Sequence, residues 1–166
     1  MLFVLTGPES TAKSSLTEAL SRHFSVAAVP EIAREFLRVR EGYEPSDLFE
    51  IARLQRAAET AAGEGLVFAD TDLQVLHIWW QERFGPAPLS MGQAYLAQGE
   101  RHYLLCKPDV PWVSDRLREN PEDRERLYEI YEADLMRRKL AYSPVSGLGD
   151  ARLLCAIDAV NETLSV

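Results

Sequence analysis

The sequence predicts an α/β domain built on a five-stranded parallel sheet with helices on both faces. Three observations predict it. Short apolar runs recur near positions 2–5, 26–29, 66–69, 102–106 and 142–145; longer segments of helical period lie between them; and Gly, Pro or Asp closes each run within a few residues. Strands that alternate with helices pair in parallel, because each crossover helix must lie over the sheet. At 166 residues, with 46% hydrophobic and 27% charged, the chain reads as one domain over 1–166 that can bury its own core.

The first strand-like run, Leu2-Phe3-Val4-Leu5, passes through Thr6 into Gly7-Pro8-Glu9-Ser10-Thr11-Ala12-Lys13-Ser14. This is the phosphate-loop spacing of glycine, four residues, glycine, lysine and serine or threonine, except that Ala12 stands where the second glycine is expected. The context also fits, because a helix over 13–23 follows with Leu16, Ala19, Leu20 and Phe24 on one face. Gly7 lets the chain leave the strand. The backbone of Glu9, Ser10, Thr11, Ala12, Lys13, Ser14 and Ser15 can cradle phosphate oxygens at the positive end of that helix. Lys13 would place its charge on the β and γ phosphates of ATP, and Ser14 its hydroxyl on a magnesium ion bound to them. Should Ala12 need a positive φ, its Cβ costs about 1–2 kcal/mol.

Composition excludes other classes. A formal net charge of −8 argues against general nucleic-acid binding, which needs a basic surface, so an anionic ligand requires local positive groups. Lys13, Lys107 and Lys139 are the only lysines, which makes a lysine in the loop a pointed placement. Cys106 and Cys155 lie in apolar runs without metal or redox spacing and read as small core residues of a reduced chain. The opening apolar run is short and lacks a basic leader, and no stretch approaches a membrane span, so the expectation is a cytoplasmic protein without membrane contact.

Taken in order, Val26 to Val29 forms a second buried strand that ends at Pro30. Glu31-Ile32-Ala33-Arg34-Glu35-Phe36-Leu37-Arg38 then reads as a helix with Pro30 at its first position and Glu31 and Arg34 on one face. Ligands of parallel sheets bind beyond the strand carboxyl ends, which makes Glu31 and Arg34 candidates for the acceptor site. A scaffold helix from Pro45 to about 62 follows, with Asp47 and Glu50 as an expected capping box. Leu66-Val67-Phe68-Ala69 delivers Asp70-Thr71-Asp72. Asp70 is the expected magnesium-shell carboxylate, because an apolar strand ending in Asp complements a phosphate loop. Asp72 is a candidate acceptor contact.

Residues 72–84 carry a helical period with Leu73, Leu76, Trp80 and Phe84 on one side and Val75 and Trp79 on another. One of the two tryptophans exceeds a narrow core stripe, so Trp79 or Trp80 could stack on a planar acceptor ring. A helix near 90–98 precedes the fourth strand, and His77 and His102 read as structural. Ser114 to Arg126 is strongly charged, and Arg116 and Arg118 sit just before a helix start at Asn120-Pro121. Phosphoryl transfer needs positive charge that arrives once substrates are bound, so residues 114–126 are expected to form an arginine-bearing lid. A helix over 121–139, a fifth strand and a last helix capped by Asp150 complete the chain.

With these motifs in place, the chain resembles the ribosylnicotinamide kinase domain of NadR-type NAD-biosynthesis proteins and related stand-alone P-loop, AAA-like ATPases. The resemblance rests on the phosphate loop, on residues 30–37, on Asp70-Thr71-Asp72 with Trp79 or Trp80 downstream, on residues 103–113 and on residues 115–118, and it covers nearly the whole length. It implies a P-loop NTPase fold of the nucleoside and nucleotide kinase kind, ATP with magnesium as cofactors, and transfer of the γ-phosphate to the ribose 5′-hydroxyl of nicotinamide riboside. In that reading Lys13, Glu31, Asp70, Arg116 and Arg118 are catalytic, with Glu31 accepting the hydroxyl proton. Two residues depart from the family pattern. Ala12 replaces a loop glycine, and Arg116 stands where the lid segment usually has glycine. The alternatives are a kinase for another nucleoside or nucleotide and a regulatory nucleotide-binding switch without a small acceptor.

Overall fold

The computed structural model describes residues 1–114 and 122–165. Within them the order is β1 (Leu2–Thr6), α1 (Lys13–Phe24), β2 (Ala27–Val29), α2 (Ile32–Leu37), α3 (Pro45–Ala61), β3 (Val67–Asp70), α4 (Leu73–Phe84), α5 (Leu89–Leu96), β4 (Arg101–Cys106), α6 (Arg124–Arg138), β5 (Tyr142–Val145) and α7 (Asp150–Leu164). The strands form one parallel sheet in the order β2-β3-β1-β4-β5. The first strand of the chain is thus the middle strand of the sheet.

That position explains its composition. Phe3, Leu5, Phe68, Leu104, Cys106 and Val145 face one layer, closed by Leu16 and Leu20 of α1 and Ala156, Ile157 and Val160 of α7. Val4, Val29, Ala69, Tyr103 and Leu105 face the other layer, where α2 to α6 supply Ala33, Leu48, Ile51, Leu76, Tyr95 and Tyr131. Strands covered on both faces must be apolar on both faces, which is why the runs are continuous rather than alternating.

Several boundaries differ from the expectations, for local reasons. Helix α3 is capped by Glu44, whose side chain accepts from the Asp47 backbone N–H while the Asp47 carboxylate accepts from the Glu44 N–H at 2.9 Å, so the capping box is Glu44 and Asp47 rather than Asp47 and Glu50. Gly149, not Asp150, is the cap of α7, and its φ of 53° gives a chain reversal that Asp150 would make at a cost. Pro30 lies outside α2, whose cap is Glu31. Helix α6 begins at Arg124, after Asn120-Pro121. The expected lid arginines Arg116 and Arg118 lie outside the described residues.

Among the described residues, no helix is long and apolar enough to cross a membrane.

Candidate active site

The strand order changes direction at β1, so the crevice for a ligand opens at the carboxyl ends of β1 and its neighbours. Register places Asp70 beside Leu5, and the Thr71 N–H donates to the Leu5 carbonyl at 3.0 Å. The end of β3 therefore meets the start of the loop that runs from Gly7 to Ser14. Gly7 has a φ of 122°, and a Cβ there would lie 2.8 Å from the Cys106 carbonyl oxygen. No other residue could stand at that point without moving β4.

The loop itself is held from three directions. Lys13 Nζ donates to the carbonyls of Gly7 at 2.9 Å and Pro8 at 2.6 Å. Arg152 of α7 donates to the Thr11 carbonyl at 2.9 Å and also bonds Lys107 O, Gly147 O and Asp109. Arg124 of α6 donates to the carbonyls of Ser10 at 3.1 Å and Val110 at 2.9 Å, and its guanidinium lies 5.6 Å from the Trp112 ring centre. The Val113 N–H completes the set with a 2.9 Å bond to Ser10 Oγ. In a peptide unit the N–H opposes the C=O, so turning the Ser10 and Thr11 carbonyls outward leaves the N–H groups of Thr11 and Ala12 facing into the loop. Ala12 adopts φ 61° and ψ 27°, and Ser10 also has a positive φ of 55°. The left-handed conformation expected of a glycine is therefore present with an alanine in it, at about 1–2 kcal/mol.

Around the loop the charges converge. Burial lowers the pKa of Lys13, and the nearby carboxylates of Glu31 and Asp70 oppose that fall. Burial, with the charge of Glu31 second, pushes Asp70 up to about 6, against a hydrogen bond from Ser14 and the charges of Lys13 and Arg34. Arg34 Nε meets Glu31 Oε2 at 3.2 Å, with the Glu31 side chain only 11% exposed. Asp70 Oδ1 is buried and has no hydrogen-bond partner among the described residues. A hydroxyl bonded to a carboxyl that keeps an unused oxygen is a donor set suited to a hydrated hard cation. Among the described residues no group of three or more His, Cys, Asp or Glu could hold a metal unaided, so magnesium would draw its other ligands from nucleotide and water.

Two spaces adjoin. One of about 120 Å³ lies in the loop, lined by residues that include Lys13, Ser14, Ser15, Glu31, Arg34 and Trp79. The other, of about 650 Å³, is lined by Glu9, Arg40, Tyr43, Trp79, Arg83 and Tyr131 among others. Glu9 and Trp79 border both, so the larger space opens beside the loop. The Tyr43 ring stacks on Trp79 with centres 5.9 Å apart and planes at 29°, and the Arg83 guanidinium sits 4.5 Å from the Tyr43 centre. An aromatic wall with this volume suits a planar small molecule.

Two expected site residues are elsewhere. Asp72 is an acceptor inside the core: its Oδ1 caps α4 through the Gln74 N–H at 2.8 Å, and its Oδ2 takes Tyr103 at 2.8 Å, Arg101 at 3.0 Å and Gln98 at 3.1 Å. Fully engaged and with no exposed side-chain surface, it has no reach to an acceptor. Trp80 turns away from the site, packs edge-on against Phe49 and Phe84, and is 8% exposed. The ring at the site is Trp79. His77 and His102 are structural, bonded to Arg138 and Ser143 respectively.

Tyr43, Arg124 and Arg152 were not singled out from the sequence. Tyr43 sits in a connection without period, and nothing local marks it. The arginines did carry a signal: each lies in the first turn of its helix, where the dipole disfavours a cation unless some other acceptor holds it.

A parallel sheet of this order with a lysine-bearing loop after its middle strand defines a domain of the P-loop fold. A family model described as an AAA domain matches residues 2–152, and the chain belongs to that family. A crystal structure of the NadR protein in complex with NR is similar with a TM-score of 0.75 and 21% identity, covering 99% of this chain and 50% of that one. NadR in complex with NAD and AMP-PNP gives 0.71 and 20% identity, over 99% of this chain and 49% of that one. Thymidylate kinase from Ehrlichia chaffeensis gives 0.65 and 10%, over 98% of each chain. The chain spans about half the length of the NadR chains it resembles. No curated protein matches it in sequence. The fold is that of the P-loop kinases.

Proposed function

We propose that this protein is an ATP-dependent small-molecule kinase whose acceptor is the ribose 5′-hydroxyl of nicotinamide riboside, giving the mononucleotide. The carrying observation is the junction of a lysine-bearing phosphate loop, the Glu31–Arg34 ion pair and a cavity walled by Trp79 and Tyr43. The likeness to NadR bound to NR supports this acceptor.

The triphosphate would displace the Gly7 and Pro8 carbonyls from Lys13, exchanging two neutral acceptors for phosphate oxygens. Bound magnesium would be held by Ser14, with Asp70 in its outer shell, and would neutralise charge on the β and γ phosphates. Glu31 accepts the hydrogen bond of the attacking hydroxyl and, late in transfer, its proton. Arg34 holds the Glu31 carboxylate in place from one helical turn away and adds positive charge near the transferred group. Trp79 and Tyr43 orient the acceptor ring. Arg116 and Arg118 would add charge from the lid.

The left-handed alanine in the loop favours a second reading, a regulatory nucleotide switch with slow hydrolysis and no small acceptor. ADP release from the purified protein with ATP and magnesium separates the two, run alone and with nicotinamide riboside, other nucleosides and nucleoside monophosphates. Release that rises strongly only with nicotinamide riboside is expected. A response to another acceptor would keep the kinase and replace its substrate; tight ATP binding without any acceptor response would leave the switch.

A further inference from the structure

We infer that Arg124 and Arg152 are positioning residues of the phosphate loop, which hold it in the geometry that Ala12 alone would resist. The inference rests on the nucleotide-binding reading of that loop. Glycine visits positive φ without penalty, so a glycine loop can find the phosphate-binding shape unaided. Here Ala12 sits at φ 61° and Ser10 at φ 55°, both with side chains. Such conformations persist only where the surroundings over-determine them.

The surroundings do so at the two neighbouring carbonyls. Arg124 grips the Ser10 carbonyl from the start of α6, and Arg152 grips the Thr11 carbonyl from the start of α7. These are the carbonyls of the two residues before Ala12, and their orientation fixes which way the next N–H groups point. Each guanidinium is anchored on its far side as well. Arg124 also bonds Val110 O and lies over Trp112; Arg152 also bonds Asp109, Lys107 O and Gly147 O, and is 3% exposed. The grip therefore comes from rigid helices rather than from long, free side chains. It also accounts for two cations in first helical turns, where the dipole alone would reject them.

Neither arginine touches the nucleotide in this account; both act through loop amides. The distinguishing property is coupling to residue 12. With glycine there, the loop no longer needs to be held, so loss of Arg124 should cost little.

The test is a double-mutant cycle on the full chain, because Arg152 is buried enough that its loss could prevent folding, whereas Arg124 is only half-buried. Direct binding of ATP with magnesium is measured for wild type, Arg124→Gln, Ala12→Gly and the double variant. Arg124→Lys serves as the conservative variant. Loss of a charged hydrogen bond to the loop predicts about tenfold weaker ATP binding for Arg124→Gln, with partial recovery in Arg124→Lys. In the Ala12→Gly background the same change should cost no more than about twofold. Equal losses in both backgrounds, or none in the first, would overturn the inference.

Hydrogen exchange of the ligand-free protein gives a readout that needs no nucleotide. Arg124→Gln should speed exchange in the peptide spanning 7–16 while leaving α3 and β3 unchanged, and uniform change or none counts against a positioning role. If the wild type binds no ATP but the exchange result holds, the nucleotide reading falls and the positioning of the loop stands. If ATP binds and the cycle is additive, the inference alone falls.

Discussion

Glu31 illustrates how the fold holds one carboxylate at the mouth of the loop. It stands at the cap of α2, paired to Arg34 at 3.2 Å and near enough to Lys13 and Asp70 to influence both. Replacing it with the isosteric amide keeps size and removes the proton acceptor. Glu31→Gln should lower kcat by about a hundredfold or more with ATP affinity unchanged, measured by steady-state kinetics beside direct binding. Turnover within a few-fold of wild type would remove the residue from catalysis. In the proposed kinase Tyr43 would act on the acceptor, since its ring contacts Trp79 and Arg83 and lines the larger cavity but not the space within the loop. Tyr43→Ala should raise the acceptor KM by about fivefold to tenfold and leave the KM for ATP alone. Equal changes in both constants would mean that Tyr43 supports the fold rather than the acceptor.

At the scale of elements, the start of α4 shows a carboxylate spent on architecture. Asp72 joins the α4 backbone, the Tyr103 hydroxyl of β4, the Arg101 guanidinium and Gln98, with Arg101 also reaching Glu59 of α3 at 3.4 Å. Removing one partner of a buried ion pair strands the other. Asp72→Ala should therefore cost about 3–5 kcal/mol in chemical denaturation. In the folded fraction, the acceptor KM should stay within about twofold of wild type. A large rise in that KM with little loss of stability would return Asp72 to the acceptor site. The same helix separates its tryptophans by a single residue step, which turns Trp79 to the cavity and Trp80 to the core.

For the whole molecule, the buried carboxylates set a pH dependence. Glu59 rises from 4.5 to about 7, chiefly because burial disfavours its charge, with Asp72 adding repulsion and Arg101 and Arg56 pulling the other way. Its side chain is 6% exposed. The folded state thus holds this proton more tightly than the unfolded chain. The stabilisation is complete below the unfolded value and fades as pH rises through about 7. Between those limits Glu59 should account for a fall on the order of 2 kcal/mol in unfolding free energy as pH increases. Glu59→Gln should flatten that part of the profile, measured by denaturant titration across the range. An unchanged slope would mean that Glu59 titrates alike in both states.

The order of strands and helices, the loop with its lysine and the delivery of Asp70 were legible in the sequence, because each depends on local spacing. A buried parallel strand must be apolar on both faces, a crossover helix must show its period, and a phosphate loop needs its residues consecutive. Only the tertiary structure decided the fate of Asp72, which the sequence offers as an acceptor contact beside Asp70 but which points into the core, where three distant side chains converge on it. It also decided between Trp79 and Trp80, whose difference is which neighbour each helix face meets. Arg124 and Arg152 belong to the same class. Their partners are loop carbonyls 114 and 141 residues away, and contacts at that separation exist only once the fold has brought the starts of α6 and α7 to the loop after β1.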